Sequence, residues 1–443
     1  MGYWDMGRMT MDLISESLGV NAKGHLTLGG MDVPALAQKH GTPCYLMDED
    51  GIRNVCRAFN SAMRAHYGGE FLIAYASKAL SVSHLYRVMR EEGMGFDVVS
   101  GGELYTALRA GVPASVVYFH GNNKTEAEIR MGLEAGVRRF VVDNREELAV
   151  LHRLAKEGGF RPDISFRIKP GVEAHTHEFV QTGRIDSKFG LALETGEAEA
   201  VIGEALALPH VNLVGIHCHI GSQIFDAEPF AHTVAVMMQF MAAVRDKFGH
   251  TLTELNLGGG FGIRYLPSHR PRSLEEVVSL TAGAVTEHAR RLGLPLPALV
   301  LEPGRLLVGP YGITVYTVGS VKEIPGVRTY VAVDGGMTDN PRFALYGAEY
   351  EVVLPERMED PRDTMVTVAG RCCESGDLLA RDVSIPAPRA GELLAVLGTG
   401  AYNYAMASNY NRVPRLPIVM VSGGTDRVIL RRETYEDLVR NDL

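Results

Sequence analysis

Lys78 ends the short apolar run FLIAYASK (71–78), where a lysine could act as a nucleophile. If this run is a barrel strand, the side chain lies at the inner rim, and the loss of solvation there favours the neutral amine. A neutral amine is what Schiff-base formation with a carbonyl compound requires. Taken alone, Lys78 is explained as well by a lysine that reaches solvent at the rim.

A glycine cluster, GGGFG at 258–262, could bring several backbone N–H groups close to one anion. Glycine permits this approach because no Cβ separates the backbone from the ligand, and phosphate is a common ligand of such turns. Gly258, Gly259 and Gly260 are explained equally well by a flexible turn when the motif stands alone.

Two further side chains suit a flat heterocyclic ring. Glu302 could face a pyridine nitrogen and favour its protonated form, which makes the ring withdraw electrons, and His219 could stack on the ring. Separately, an ion pair with Arg305 would explain Glu302, and a place in the core would explain His219. Together with Lys78 and the glycines, these side chains indicate a pyridoxal phosphate site.

These residues need a fold that brings them together, and the alternation of two kinds of sequence segment predicts one. Short runs rich in β-branched residues alternate with amphipathic stretches, and the runs are FLIAYASK, GFDVVSG, VVYFHG, FVVDN, ISFRIKP, LVGIHCHIGS, ELNLGGG and ALVLEPGR. Eight strands that alternate with helices predict an (α/β)8 TIM-type barrel. Catalytic groups of barrels lie at the carboxyl ends of the strands, where the unusual polar residues fall: Lys78, Asp97, Ser100, His120, His217, His219, Glu302 and Arg305.

The sequence changes in character after Arg305. Strand-like runs such as GITVYTVGSVKEI and TMVTVAG follow one another between turn residues, which predicts a mainly β domain, and HLTLGG and PCYLMDE near the N-terminus could join it. We therefore expect an N-terminal segment (1–48) that pairs with the β domain, a cofactor-binding barrel (49–305) and a C-terminal β domain (306–443). The polar connection at 172–190 is expected to line the active site.

The amino-acid composition limits which binding partners and which cellular location we expect for the protein. The net charge of −9 disfavours nucleic acid or an anionic membrane as a partner. Neither a secretory signal nor a bilayer-spanning apolar stretch is evident. The five scattered cysteines are typical of reduced thiols in a cytoplasmic protein, and their spacing suggests no metal site.

Motifs across nearly the whole chain resemble those of the fold type III pyridoxal-phosphate-dependent decarboxylases, most closely the branch that acts on diaminopimelate. The matching strings are YASKAL (75–80), FDVVSGGEL (96–104), HGNNKT (120–125), TGRIDSKFG (182–190), HCHIGSQ (217–223), GGGFG (258–262), EPGR (302–305), CESGD (373–377) and GAYNYAMASNYN (400–411). The elements HIGSQ, SKFG and CESGD together are highly specific for this family.

The resemblance implies a role for each matching residue. Lys78 would bind the cofactor covalently, His219 would stack on its ring, and Glu302 would face the ring nitrogen. The phosphate and ring would be held by Ser222, Gly258, Gly259, Gly260, Gly304, Arg305 and Tyr402.

The resemblance also implies how an amino-acid substrate is bound and protonated. Its carboxylates would pair with Arg305, Arg342 and Tyr346, with Tyr402 nearby, and its distal ammonium would pair with Glu374. Cys373 would reach in from the partner subunit of a homodimer and protonate the carbon that loses carbon dioxide, since a thiol is mostly protonated at neutral pH. Cys372 fits better as a small buried hydrophobe, because Cys373 directly precedes Glu-Ser-Gly-Asp.

The chain departs from the family pattern at one substrate motif. The family usually has Arg-Pro-Ala-Leu-Tyr, whereas this chain has Phe343 after Arg342 and Pro341 before it, which could displace the loop. In the Gly-Ala-Tyr segment, Asn403 and Tyr404 stand where small residues are more common.

The reaction expected from these residues is decarboxylation of meso-2,6-diaminopimelate to L-lysine and carbon dioxide, the last step of lysine biosynthesis. Arg342 is its main support, because a second carboxylate needs a cation. A decarboxylase of the same fold acting on ornithine or arginine would need an acidic residue for the distal amine. A racemase would place arginine where Glu302 stands, and a non-catalytic regulatory protein would lack Lys78 or the proton donor.

Overall fold

The computed structural model describes residues 12–172 and 187–443. The described chain begins with a small sheet, and the strand that follows it belongs to a different sheet. Strands β1 (Leu18–Val20), β2 (Leu26–Leu28) and β3 (Met31–Asp32) form an antiparallel sheet of their own. Strand β4 (Cys44–Asp48) follows helix α1 (Val33–His40) and pairs elsewhere. The run HLTLGG therefore forms β2 of the small sheet and does not enter the large β sheet.

The centre of the molecule is a closed barrel of eight parallel strands. Its strands are β5 (Phe71–Ala76), β6 (Gly95–Val98), β7 (Val117–Phe119), β8 (Arg139–Val142), β9 (Asp163–Lys169), β11 (Asn212–His217), β12 (Glu254–Asn256) and β13 (Ala298–Leu301), with the short β10 (Leu191–Ala192) added on β9. Each neighbouring pair is parallel, and pairing of β8 with β9 closes the ring. The eight predicted runs match these eight strands one to one, which confirms the barrel.

Helices connect the barrel strands and cover their outer face. They are α2 (Glu49–His66), α3 (Ser83–Glu91), α4 (Gly101–Arg109), α5 (Glu126–Ala135), α6 (Arg145–Gly158), α7 (Glu197–Leu206), α8 (Glu228–Phe248) and α9 (Leu274–Leu292). Local sequence sets their ends: Thr125 and Glu128 form a capping box at the start of α5, and Gly136 ends it in the left-handed region with φ +70°. No helix within the described ranges is long and apolar enough to cross a membrane.

The remaining elements form a mixed sheet after the barrel. It contains β14 (Gly312–Ile324), β15 (Arg328–Val333), β16 (Val352–Val353), β17 (Thr364–Ala369), β18 (Leu378–Ile385), β19 (Leu393–Leu397), β20 (Ile418–Ser422) and β21 (Thr425–Leu430), with the short helices α10 (Arg305–Val308), α11 (Arg342–Tyr346) and α12 (Tyr435–Val439). The order β18-β17-β15-β14-β4-β20-β21 inserts β4 between two late strands. The N-terminal run PCYLMDE thus joins the C-terminal β part, as expected.

The amino-terminal end of the barrel interior is filled by a buried ion pair. Arg139 donates from Nε and Nη2 to the two oxygens of Glu254 at 2.8 and 2.7 Å, and Tyr118 donates to the same carboxylate at 2.9 Å. Arg139 and Glu254 begin strands β8 and β12, so they lie at the end of the barrel remote from the strands' carboxyl ends. The two charges compensate each other at this end of the barrel. A ligand can therefore bind at the opposite end, where the strands have their carboxyl ends.

Candidate active site

A cavity of about 740 Å³ lies at the carboxyl ends of the barrel strands and is also lined by residues of the β part. Eleven of the predicted site residues line it: Lys78, His219, Ser222, Gly259, Gly260, Glu302, Gly304, Arg305, Arg342, Tyr346 and Tyr402. Gly258 directly precedes the lining glycines. Cys373 and Glu374 do not line it.

Lys78 projects into this cavity from a short 3-10 turn, Ser77–Ala79, that follows β5. The turn is held on both sides, since Ala76 donates its N–H to Pro303 O at 3.1 Å and Tyr402 donates its N–H to Ala79 O at 2.8 Å. No hydrogen bond or ion pair to Lys78 Nζ comes from residues 12–172 or 187–443. An amine that is held at its base and has no partner among these residues suits covalent attachment of a carbonyl ligand.

Glu302 is a buried carboxylate that receives three hydrogen bonds. Asn256 Nδ2 and His120 Nε2 lie 2.6 and 2.7 Å from Oε1, and His217 Nε2 lies 3.2 Å from Oε2. Burial opposes ionisation, but the adjacent imidazoles of His120 and His217, through their electrostatic interactions and hydrogen bonds, hold the pKa of Glu302 well below its ordinary value. The donor atoms of His120, His217 and Glu302 lie within 4.8 Å of one another, and direct hydrogen bonds account for that spacing.

The glycine loop after β12 packs against its neighbours too closely for any side chain. A Cβ at Gly259 would lie 2.2 Å from Glu302 O, and one at Gly258 would lie 2.5 Å from Cys218 O. Gly258 also has φ +67°, which favours glycine. Gly259 donates its N–H to His219 Nδ1 at 3.2 Å, and burial together with the charge of Lys78 lowers the pKa of His219 well below its usual range. His219 is therefore a neutral imidazole fixed against the loop.

Two guanidinium groups reach the cavity and share one phenol oxygen. Arg305 donates from Nη1 to Tyr265 Oη at 2.6 Å and from Nη2 to Ser222 Oγ at 2.7 Å. Arg342 donates from Nη1 to Tyr350 Oη at 2.6 Å and to Tyr265 Oη at 3.1 Å. Pro341 stands immediately before α11, so the changed motif still places Arg342 in the cavity.

Tyr402 adopts a backbone conformation that is uncommon for a tyrosine. Its φ is +63°, and its ring lies 4.8 Å from the Arg305 guanidinium carbon. Strained residues of this kind persist where surrounding contacts fix them and they cluster at functional sites. Its N–H bond to Ala79 O joins Tyr402 to the turn that carries Lys78.

Cys373 and Glu374 lie on an exposed loop outside the cavity of their own chain. The buried Asp377 carboxylate fixes the start of this loop by accepting N–H bonds from Cys372 at 2.7 Å and from Met337 at 2.6 Å. Cys372 is half-buried, and burial together with Asp377 raises the pKa of its thiol to about 11. The loop therefore presents Cys373 on the surface of the chain and partly encloses Cys372.

Several residues in or next to the cavity have no role in the sequence-based prediction. The sequence indicates His120 and His217 only as polar residues at strand ends. It does not single out Tyr265, which lines the cavity, or Asn256 and Tyr350, which bond to residues that do. Ser100 is explained by helix capping, since its Oγ accepts the N–H of Glu103 at the start of α4. Of the connection at 172–190, residues 173–186 lie outside the described part of the chain.

The donor set of the cavity fits pyridoxal phosphate. Among the described residues, Arg305 Nε, His217 Nδ1 and Asp97 Oδ1 are buried without a hydrogen-bond partner, and each residue lines the cavity. The cavity also offers a lysine amine that receives no hydrogen bond or ion pair from the described residues, a loop whose three glycines leave no room for a Cβ, and an ionised carboxylate held by two histidines. These features match an aldehyde, a phosphate and a protonated pyridine nitrogen, respectively.

The barrel and this donor set define a pyridoxal-dependent decarboxylase. In agreement, the family model described as "Pyridoxal-dependent decarboxylase, pyridoxal binding domain" matches residues 50–309.

Proteins that are similar to this chain over nearly its full length define the class of decarboxylase more closely. The chain is 49% identical to a diaminopimelate decarboxylase of Bacillus subtilis and 42% identical to one of Mycobacterium tuberculosis, covering 96% and 94% of both chains, respectively. A crystal structure of diaminopimelate decarboxylase from M. jannaschii in co-complex with L-lysine superposes with a TM-score of 0.91 at 36% identity, covering 97% of this chain and 98% of that one. The chain belongs to the diaminopimelate decarboxylase family.

Proposed function

We propose that the protein decarboxylates meso-2,6-diaminopimelate to L-lysine and carbon dioxide, the last step of lysine biosynthesis. The observation that carries this proposal is that Arg305 and Arg342 face the same cavity as Lys78. A dicarboxylic amino acid needs a cation for the carboxylate that it retains, and a guanidinium pairs well with that group. The related M. jannaschii enzyme was crystallised with L-lysine, the product expected here.

The residues on the barrel side bind the cofactor in this proposal. Lys78 binds it covalently, His219 packs on its ring, and Glu302 keeps a proton at the ring nitrogen. The phosphate and the ring edge are held by Ser222, Gly258, Gly259, Gly260, Gly304, Arg305 and Tyr402. When bound, pyridoxal phosphate supplies the electron sink that accepts the electron pair of the breaking carbon–carbon bond.

The residues on the side of the β part orient the substrate. Arg342 and Tyr346 bind the retained carboxylate together with Arg305, and Tyr402 packs beside them. Glu374 binds the distal ammonium, because an ammonium needs an anionic partner inside a cavity that already holds two guanidinium groups. Substrates of the wrong charge pattern leave one of these groups unpaired, which favours the diaminopimelate reaction over the decarboxylation of ornithine or arginine.

We also propose a homodimer with shared active sites, in which Cys373 and Glu374 act in the cavity of the other subunit. Support comes from their place on an exposed loop and their absence from the lining of their own cavity. The Cys373 thiol donates its proton to the carbon that has lost carbon dioxide. Exposure makes Cys373 available to a partner, whereas Cys372 is partly enclosed.

The division of the chain follows from the same reasoning. We propose an N-terminal segment at 1–48, a cofactor-binding barrel at 49–305 and a β domain at 306–443. Support comes from the pairing of β4 with β14 and β20 on one side and from the closed ring of β5 to β13 on the other. A cytoplasmic location is proposed because the five cysteines are all free thiols.

Replacing Arg342 by alanine tests the carboxylate assignment. The variant should raise the Michaelis constant for meso-diaminopimelate about ten- to hundredfold, because a charge-assisted hydrogen bond to the substrate is lost. The cofactor affinity, measured by titrating the cofactor absorbance, should change little. The control is Arg389→Ala, which removes an exposed arginine outside the cavity and should leave both values unchanged. A wild-type Michaelis constant in Arg342→Ala would contradict the assignment.

A further inference from the structure

Tyr265 lies between the two cavity arginines, Arg305 and Arg342. Its position in the sequence does not indicate this place. It follows the glycine loop, is only 4% exposed, and lines the cavity. Its ring packs edge-on against Tyr350, with centroids 5.1 Å apart and planes at 82°. The backbone is fixed as well, since Tyr265 donates its N–H to His269 Nδ1 at 3.3 Å and accepts the Glu351 N–H at 3.2 Å. The phenol is thus held rigidly at the substrate end of the cavity.

The Tyr265 hydroxyl accepts hydrogen bonds, but its own hydrogen is not donated to any described residue. Its oxygen accepts from Arg305 Nη1 at 2.6 Å and from Arg342 Nη1 at 3.1 Å. A guanidinium only donates, so the hydroxyl hydrogen of Tyr265 cannot be satisfied by either arginine. Within the described ranges no side chain or carbonyl accepts that hydrogen. A buried donor without an acceptor costs free energy, and a ligand acceptor in the cavity would remove that cost.

We propose that Tyr265 is a substrate-binding residue that donates its hydroxyl hydrogen to the carboxylate that the substrate retains, beside Arg305 and Arg342. The inference rests on the proposed function and extends it to a residue outside the motifs that suggested it. A carboxylate offers two oxygens with several lone pairs, enough to accept from the phenol and both guanidinium groups at once.

The same three donors also select against a different substrate end. An ammonium group has hydrogens and no lone pair, so at this position it would face donors only. Ornithine ends in an ammonium and has no second carboxylate, so it offers these three donors no acceptor. Tyr265 therefore acts in specificity as well as in affinity, because it adds a donor that an ammonium cannot accept from.

The electrostatic surroundings give Tyr265 a distinct pH signature. The charged or titratable groups near it are Arg305, Arg342, Tyr350, His269 and, lining the same cavity, Glu349. Burial opposes ionisation, but the two guanidinium groups lower the pKa of Tyr265 below its ordinary value. Deprotonation would remove the donor and place a negative charge beside the substrate carboxylate. The Michaelis constant should therefore rise with pH as Tyr265 ionises.

The test compares wild type, Tyr265→Phe and Tyr350→Phe as cofactor-loaded enzymes. Tyr350→Phe is the matched control, because it also removes a phenol that accepts from Arg342 but does not line the cavity. Steady-state kinetics with meso-diaminopimelate are measured from neutral to alkaline pH. Ultraviolet difference spectra of wild type against Tyr265→Phe report ionisation of the Tyr265 phenol directly.

Tyr265→Phe should raise the Michaelis constant at neutral pH about tenfold, with the turnover number changed less than about twofold. Wild type and Tyr350→Phe should both show the alkaline rise of the Michaelis constant, at the pH where the Tyr265 spectrum changes, and Tyr265→Phe should lack it. An effect through the positions of the arginines alone would not create that difference.

Two results would overturn the assignment while leaving the proposed function intact. One is a Tyr265→Phe variant with a wild-type Michaelis constant, and the other is a spectroscopic ionisation of Tyr265 that leaves the Michaelis constant of wild type unchanged. If wild type releases no lysine from meso-diaminopimelate, the proposed function itself fails, and the role of Tyr265 fails with it.

Discussion

Glu302 stays ionised in a buried place because its neighbours supply hydrogen bonds in place of water. Burial lowers the pKa of His217 to about 3, so this imidazole is neutral and donates from Nε2 to the Glu302 carboxylate. A carboxylate at this position favours the protonated form of a pyridine nitrogen, whereas an arginine would disfavour it. In the proposed function, Glu302, held by His120, His217 and Asn256, thereby favours a strongly electron-withdrawing ring, which suits decarboxylation over racemisation.

At the residue scale, Cys373→Ala should keep the cofactor but lose most of the turnover. General acids contribute about 100-fold or more to rates, so we expect a fall in the turnover number of at least that order. The measurement is lysine formation at saturating meso-diaminopimelate, with the cofactor absorbance recorded in the same sample.

Cys372→Ala is the control for this variant, since it removes the neighbouring thiol that is partly enclosed. It should retain turnover close to that of wild type. Equal losses in both variants would indicate a disturbed loop, and unchanged turnover in Cys373→Ala would remove this thiol from the mechanism.

At the scale of elements, the glycine loop after β12 packs closely against its neighbours because its glycines have no side chains. A Cβ at Gly259 would lie 2.2 Å from the carbonyl oxygen of Glu302, so Gly259→Ala must displace either the loop or the end of β13. We expect at least a tenfold loss of cofactor affinity, about 1.4 kcal/mol or more, measured by titrating the apoprotein with pyridoxal phosphate. Gly283→Ala on helix α9 is the control, because nothing beyond the backbone of its own helix lies within 4 Å of the added Cβ, and its cofactor affinity should stay at the wild-type value. An unchanged affinity in Gly259→Ala would show that the loop does not need this close packing.

The sequence predicts the barrel well because its evidence is local. Each run from FLIAYASK to ALVLEPGR has the apolar texture of a buried parallel strand, and Lys78 and Glu302 stand at the expected strand ends. The family motifs then lead to Arg342 and Tyr402. The sequence does not predict the small sheet formed by HLTLGG, since its choice of partners depends on the packing of Leu26 and Leu28 in a buried cluster with residues of β4 and β14.

Residues that act through distant contacts could not be found in the same way. Tyr265 bonds to Arg305 and Arg342, which lie 40 and 77 residues further along the chain. Asn256 meets Glu302 across 46 residues, and Tyr350 looks like an ordinary core tyrosine until Arg342 is placed beside it. Only the folded arrangement of the strands and of α11 brings these groups together at and around the cavity.

At the scale of the whole molecule, a shared active site predicts complementation between two inactive variants. In a mixed dimer of Lys78→Ala and Cys373→Ala chains, one cavity has an intact lysine and receives an intact thiol from the other subunit. If chains mix at random, about half of the dimers are mixed and each has one working site, so refolded or co-expressed mixtures should show about a quarter of wild-type activity.

Each variant alone should show little activity, which sets the baseline for the mixture. A mixture that stays at this baseline, while size measurements show that mixed dimers have formed, would mean that each cavity uses the thiol of its own chain.

The most direct test of the account is product release by the purified protein. The cofactor-loaded enzyme is given meso-diaminopimelate, ornithine and arginine in parallel, and carbon dioxide and the amine or amino-acid product are measured. The account predicts carbon dioxide and L-lysine in equal amounts from meso-diaminopimelate alone. Carbon dioxide from ornithine or arginine alone would contradict the carboxylate-binding role of Arg305 and Arg342, and none from any substrate would contradict the assignment as a decarboxylase.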